Sequence, residues 1–484
     1  MKLSEALEQC PTELLVGGDW RPGADGRRIT VHDPATAEPI ASCASASEAD
    51  AVAAVDAAAL ALPGWAATPA RERSAVLRRA YELMTERADY FATLISAENG
   101  KALTDARAEV GYAAEFFRWY AEEAVRLAGT VQHAPAGGGR ILVDRAPIGV
   151  AVLVTPWNYP AAMATRKIGP ALAAGCAVVL KPAGETPLTA LAVGALMAEA
   201  GAPAGVVNVV PAARSGAVVA AMLDRPAVRK LSFTGSTEVG RTLLRTAADR
   251  VLSTSMELGG NAPFLVLEDA DPDVAVAAAL LAKMRNGGEA CTAANRFYVH
   301  ESVADEFGAR LAAAMGALRV GPGLDPGTEV GPLVNAAART KVAELVEDAV
   351  ARGARVLTGG RAPAGRGHYY EPTVLDRVAP DSAILAEEIF GPVAPLVRFR
   401  DEADAIRLAN DTEYGLVSYV CTRDLGRGLA VAGALETGMV GVNRGVVSDP
   451  AAPFGGVKQS GLGREGGHEG ILEYTETKYI AADW

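Results

Sequence analysis

From Gly149 onward the chain alternates short β-branched apolar runs with stretches of helical periodicity. This alternation constrains the fold more than any other feature of the sequence. The runs fall at 150–154, 177–180, 206–210 and 230–233. Such runs read as buried parallel strands, and the longer stretches between them as crossover helices, so the pattern predicts βαβ units in a doubly wound α/β sheet. Ligands of such sheets sit at the carboxyl ends of the strands, which directs attention to the residues that follow each run. A second βα series begins at Ala262, with strand candidates at 264–267, 297–299, 355–357 and 439–442. A chain of 484 residues exceeds what one core organises, so two or three domains are expected.

Upstream, residues 46–130 are alanine-rich with apolar positions three and four apart, a helical pattern without any catalytic signature. Gly137-Gly138-Gly139 interrupts it. The tail Tyr474-Thr475-Glu476-Thr477-Lys478-Tyr479-Ile480 alternates like a strand that needs a partner edge. A net charge of −12 argues against sequence-independent nucleic-acid binding, which requires basic patches. No apolar run approaches the roughly 18 residues of a membrane span. The start, Met1-Lys2-Leu3-Ser4-Glu5, does not read as a secretory signal, so a cytoplasmic protein with no membrane partner is expected. Five cysteines, Cys10, Cys43, Cys176, Cys291 and Cys421, are odd in number and unpaired in spacing, which excludes a disulfide framework. The five histidines form no metal-ligand pattern, and no metal is expected.

Cys291 stands out among the five because small residues flank it and two glycines precede it, in Arg285-Asn286-Gly287-Gly288-Glu289-Ala290-Cys291-Thr292. Taken alone it reads first as an apolar filler, since free cysteine is among the most buried residue types. A thiol with pKa about 8.5 is nevertheless a few per cent thiolate near neutrality and readily becomes a nucleophile. Upstream, in Met256-Glu257-Leu258-Gly259-Gly260-Asn261, a carboxylate lies in apolar surroundings that would raise its pKa into the range of a general base. Asn158, in Thr155-Pro156-Trp157-Asn158-Tyr159-Pro160 after the first apolar run, offers an amide where an oxyanion donor would be useful. The dinucleotide fingerprint Gly-x-Gly-x-x-Gly is absent. In its place Gly235-Ser236-Thr237-Glu238-Val239-Gly240 follows a strand run and opens a helix, which on spacing alone is a plain turn.

Together these segments resemble the aldehyde dehydrogenase superfamily, in the expected order over nearly the whole chain. Lys181-Pro182, Phe233-Thr234-Gly235-Ser236, Glu387-Glu388-Ile389-Phe390-Gly391-Pro392 and Pro453-Phe454-Gly455-Gly456-Val457-Lys458 add to the resemblance. Any one of them is weak; six or more are not a coincidence. The resemblance implies a Rossmann-type parallel-sheet cofactor domain over 1–124 and 146–256, an α/β catalytic domain over 257–455, and a small β oligomerisation arm over 125–145 and 456–484. Through that arm the chain would form a homodimer or homotetramer.

By the mechanism the resemblance implies, Cys291 attacks an aldehyde, Asn158 and the Cys291 amide hold the oxyanion, and Glu257 activates the water that hydrolyses the thioester. Lys167 and Glu465 match positions that support the oxyanion and the proton path. Lys181, Glu388 and Phe390 match positions contacting a nicotinamide cofactor, and the resemblance extends the cofactor set to Thr155, Pro156, Trp157, Gly184, Gly235, Ser236, Gly240 and Leu258. Relatives that prefer NAD commonly carry a glutamate three residues after the lysine, where this chain has Gly184. Without that carboxylate a 2′-phosphate is not repelled and Lys181 can pair with it, so NADP is expected to be preferred over NAD, with Glu185 next door as the competing influence.

Ala161-Ala162-Met163-Ala164-Thr165-Arg166-Lys167, with Ser448 ahead of Pro453, resembles the succinate-semialdehyde dehydrogenase branch. Arg166, Arg285 and Ser448 match the residues of that branch that bind the substrate carboxylate, and two guanidinium groups on active-site helices can clamp one carboxylate. The position two residues after the nucleophile is Ala293, so no local disulfide switch is expected. Glutarate semialdehyde or a plain aliphatic or aromatic aldehyde is the alternative substrate. Acyl transfer to coenzyme A is the alternative chemistry, against which the presence of Glu257 speaks. A cofactor-binding protein with a decayed site is the third reading, against which the intact nucleophile, base and amide speak.

Overall fold

Val150–Val154 is buried at every residue and lies inside an eight-stranded sheet. Val228–Thr234 and Ala177–Lys181 flank it in parallel, with Ser253–Glu257 beyond the first and Val207–Val209 beyond the second. Along this strand Val150, Val152 and Val154 pack into one core while Ala151 and Leu153 pack into another. Both faces of the pleat are therefore covered, which is why the sequence runs are apolar without alternation. The computed structural model describes residues 1–483; Trp484, the last residue of the expected arm, lies outside them.

The four expected runs are all strands. Two additions make the sheet mixed rather than purely parallel. Leu14–Val16 and Asp19–Arg21 form an antiparallel hairpin on one edge, and Gly461–Leu462 pairs antiparallel with Ser253–Glu257 on the other. Glu48–Ala67, the one described helix long and apolar enough to cross a membrane, packs here as a core helix, with Ala51, Ala54, Val55 and Ala58 buried beneath it.

A second sheet of seven strands has the spatial order Arg355–Thr358, Thr373–Asp376, Val393–Phe399, Ala294–His300, Ala262–Val266, Val417–Cys421, Met439–Val442. It too is covered on both faces. The tail strand Thr475–Ala482 finds its partner edge within the chain. It pairs antiparallel along the length of Arg140–Pro147, which in turn pairs Thr130–His133. This three-stranded sheet is largely exposed, and the outer edges of Thr130–His133 and Thr475–Ala482 have no strand partner among the described residues. The described part of the expected arm segment 456–484 thus serves two sheets, its first strand in the eight-stranded sheet and only its last strand in the small one.

Candidate active site

Cys291 lies between the helix Pro272–Met284 and the strand Ala294–His300, on a loop whose backbone is set residue by residue. Asn286, Gly287 and Gly288 take left-handed φ values of 55°, 59° and 83°. The glycine at 288 is required, because a Cβ there would meet the Gly391 carbonyl oxygen at 2.3 Å. Asn286 is held at three points: its N–H donates to Asp105 Oδ2 (2.8 Å), and its Nδ2 donates to the carbonyls of Asn158 (2.9 Å) and Glu289 (2.9 Å). Arg285, expected on a helix, instead caps the helix end and begins a 3-10 turn.

The Asn158 side chain donates from Nδ2 to the Glu289 carbonyl at 3.0 Å. An amide nitrogen has two hydrogens, so one remains for a ligand. Asn158 and Cys291 face a common cavity of about 300 Å³. Pro156, Trp157, Gly235, Ser236, Leu258, Glu388 and Phe390 share its wall, as do Tyr159, Thr234 and Lys341, which the sequence reading had not picked out. Trp157 and Phe390 meet edge to face at 5.4 Å, with Phe390 held at a left-handed φ of 54°. Ser236 caps the helix Thr237–Ala248, its hydroxyl accepting from Val239 N–H.

Other expected residues stand back from the wall. Thr155 donates its N–H to the Lys181 carbonyl (3.2 Å), and the buried Lys181 ammonium donates to Ser215 Oγ (2.9 Å). Burial pulls this amine down to about 8, against the pull of Glu185. Gly184 borders open space, with nothing within 4 Å of an added Cβ, whereas Gly240 packs directly on Leu258.

Burial raises the Cys291 thiol to about 12. The positive Arg166 and Arg285 draw it down, while Glu388 and Glu257 push it further up. At neutral pH Cys291 is therefore a protonated thiol, with less thiolate than the few per cent of a free cysteine. Glu257 ends the strand Ser253–Glu257, and neither carboxylate oxygen has a hydrogen-bond partner. Burial and the nearby Glu465 raise its pKa well above the carboxylate range, with Lys167, Arg166 and Arg464 opposing. Lys167 donates to Glu465 Oε1 (2.5 Å) and Ser232 Oγ (2.8 Å). Burial also raises Glu388 to about 7 and lowers Lys283 to about 7. The Lys283 ammonium, fully buried, has no hydrogen-bond partner.

A second cavity, about 220 Å³, lies against the first and shares Tyr159 as a wall. Arg285 and Ser448 line it together with Asp105, Glu109 and Tyr112. Arg285 spends only its Nε, on Tyr159 Oη at 3.0 Å. Arg166, expected to form a clamp with it, does not line this cavity. Its guanidinium is buried 4.2 Å from the Phe454 ring, bonds Tyr112 Oη and lies 3.7 Å from Glu465 Oε2. A stripe of aromatic residues about a long buried arginine attracts it by cation–π forces, and this draws Arg166 away from the cavity. Asp105, Glu109 and Tyr112 all come from the helix Leu103–Glu123. Their spacing of four and three residues marks one helical face, but nothing in that spacing distinguishes a face turned to a ligand from one turned to a core.

The profile of the aldehyde dehydrogenase family matches residues 20–480. A succinate-semialdehyde dehydrogenase of Paenarthrobacter nicotinovorans is 56% identical over 441 residues, covering 91% of this chain and 98% of its own. A glutarate-semialdehyde dehydrogenase of Pseudomonas putida is 50% identical, and an NADP(+) succinate-semialdehyde dehydrogenase of Escherichia coli 48% identical, each over 468 residues and 97% of both chains. The crystal structure of a succinate-semialdehyde dehydrogenase from Burkholderia pseudomallei superposes with a TM-score of 0.97 at 48% identity, over 98% of each chain.

The other four cysteines are buried, so iodoacetamide should label Cys291 alone in the native protein. With the thiol at about 12, the labelling rate should climb about tenfold per pH unit from pH 7 to 9, following the thiolate fraction. A rate that levels off below pH 9 in mass-spectrometric time courses would contradict a protonated resting thiol.

Proposed function

The chain belongs to the aldehyde dehydrogenase family, and from that premise we propose that it oxidises a short aldehyde bearing a distal carboxylate, foremost succinate semialdehyde, to the acid with NADP. One observation carries the substrate class. The second cavity holds Arg285 with its two outer nitrogens unbonded, one tyrosine ring away from Cys291. A guanidinium left without an acceptor at such a place suits a carboxylate ligand. Glutarate semialdehyde, longer by one methylene, is the second reading, favoured by a relative of that name at 50% identity; one methylene discriminates weakly.

In this reading Cys291 Sγ bonds the aldehyde carbon while its proton passes to the ionised form of Glu257 and out by way of Glu465, and the free Asn158 amide hydrogen with the Cys291 N–H holds the oxyanion. A bound nicotinamide dinucleotide supplies the acceptor for the hydride that the thiohemiacetal carbon gives up. Glu257 then takes a proton from water as the water oxygen attacks the thioester, and the carbon–sulfur bond breaks to return the thiol. Its two unpartnered oxygens leave it free for that role. Lys167 fixes Glu465 beside it, and this pair gives the proton a route out.

The first cavity fits the nicotinamide half of the cofactor, and residues set back from it fit the adenosine half. The open space at Gly184 beside the buried Lys181 and Ser215 suits a 2′-phosphate, the capped helix start at Ser236 suits a pyrophosphate, and Glu388 and Phe390 would hold the nicotinamide half. We assign 1–124 and 146–256 to cofactor binding, 257–455 to catalysis, and 125–145 with 456–484 to the arm through which copies pair as a dimer or tetramer in the cytoplasm.

Glu257→Gln should allow one turnover and stall at the thioester, seen as a burst of reduced cofactor followed by slow release; an unchanged steady state removes Glu257 as base. Arg285→Ala should lower kcat/KM for succinate semialdehyde about 100-fold relative to butanal. Equal losses on both aldehydes would make the arginine structural. Gly184→Glu has the room it needs and should swing preference from NADP towards NAD about tenfold or more; a wild-type enzyme that already prefers NAD contradicts the cofactor assignment.

A further inference from the structure

Resting on the semialdehyde reading, we propose that the hydroxyls of Tyr112 and Tyr159 complete the carboxylate site. Each phenol oxygen accepts a hydrogen bond from an arginine, Tyr112 from Arg166 Nη2 and Tyr159 from Arg285 Nε at 3.0 Å. A hydroxyl that accepts in this way still carries its own proton to donate. Neither phenol donates to any group among the described residues, and both line the cavity that holds Arg285 and Ser448. Burial pushes the Tyr159 phenol up to about 12, so it keeps that proton at neutral pH.

Of the two acids in the lining, Glu109 does not compete for these protons. Both oxygens of Glu109 are consumed, one by the N–H groups of Ala161 and Ala162 and the other by Lys101 Nζ. Asp105 Oδ2 is taken by Asn286 N–H, and burial raises this carboxyl above its ordinary range, which weakens its opposition to an anion. The lining ring supplies donors from Arg285, whose outer nitrogens are unbonded among the described residues, from Ser448 and from the two tyrosines, with Asp105 and Glu109 the acids between them. A carboxylate has about four lone-pair sites and fills such a ring, whereas an uncharged alkyl end leaves every donor unmet.

Arg166 is fixed by the rings of Phe454 (4.2 Å) and Phe116 (5.0 Å) and by Glu465 (3.7 Å). Its contact with the cavity is the Tyr112 oxygen, which its charge polarises into a stronger donor.

The test is steady-state kinetics of the full-length wild type, Tyr112→Phe and Tyr159→Phe with succinate semialdehyde and with butanal, each at saturating NADP. In either variant kcat/KM for the semialdehyde should fall about tenfold further than for butanal, the loss of one charge-assisted hydrogen bond. The change should appear in KM rather than kcat. The inhibition constant of succinate, which carries the same carboxylate end, should rise in parallel. Equal losses on both aldehydes, or a succinate inhibition constant that stays at its wild-type value, would overturn the proposal. A wild type that does not prefer the semialdehyde over butanal overturns the substrate reading and this proposal with it. A preference kept in full by both variants overturns this proposal alone.

Discussion

A buried ion pair, Lys101 with Glu109, holds the reactive corner of the molecule in place. The two side chains are 1% and 0% exposed and meet at 2.6 Å. Each proton of the ammonium has a destination: Glu109 Oε2, the Asn158 carbonyl at 2.7 Å, and the face of the Tyr159 ring at 4.1 Å. Glu109 Oε1 receives the N–H groups of Ala161 and Ala162, the first turn of the helix Pro160–Ala174, where the helix dipole favours a negative charge. One pair thus brackets the corner 158–162 from both sides. Removing either partner would strand the other charge in the interior at about 3–5 kcal/mol, and the first atoms released would be those of Asn158 and Tyr159.

A second constraint is contact between backbones. Gly288 in the cysteine loop and Gly391 after Phe390 approach so closely that no side chain fits between them, and Phe390 accepts a left-handed conformation, costing about 1–2 kcal/mol. The strain is borne by a residue whose ring braces Trp157 across the cavity. The cysteine loop and the segment that carries Phe390 are consequently packed backbone against backbone. The thiol, Glu257 and Glu388 are all pushed towards their neutral forms by the same burial, which leaves the guanidinium groups of Arg166 and Arg285 as the charges that draw the thiol down.

The sequence was most readable where one short segment does one job. The strands at 150–154 and 177–181 have both faces buried, so their runs are apolar and their carboxyl ends carry the motifs with Asn158 and Lys181; Ser253–Glu257 is a polar Ser-Thr-Ser-Met-Glu, so the motif of Glu257 was legible there without its strand. Leu14–Val16, Asp19–Arg21 and Gly461–Leu462 escaped notice because strands of two or three residues at a sheet edge leave no periodicity to detect. Tyr112, Glu109 and Asp105 were invisible for another reason: their helical spacing is that of any amphipathic helix, and only the fold brings it against the cysteine loop. The surroundings of Arg166 were not legible, since sequence cannot tell that a guanidinium will be buried among three aromatic rings and beside Glu465.

The helix Leu103–Glu123 presents Asp105 to the cysteine loop, Glu109 to the asparagine corner and Tyr112 to the second cavity, all from a single face. The opposite wall of that cavity, with Val446 and Ser448, belongs to an irregular segment with no such duties. The two walls are therefore unequal in what divergence can do with them. Substitutions on the helix disturb the cysteine loop and the Asn158 corner together with the second cavity, whereas the segment 446–448 can lengthen, shorten or change character and leave the first two in place. A lineage descending from such an enzyme towards a longer or shorter acid would be expected to record that history in the loop and to leave the helix almost untouched.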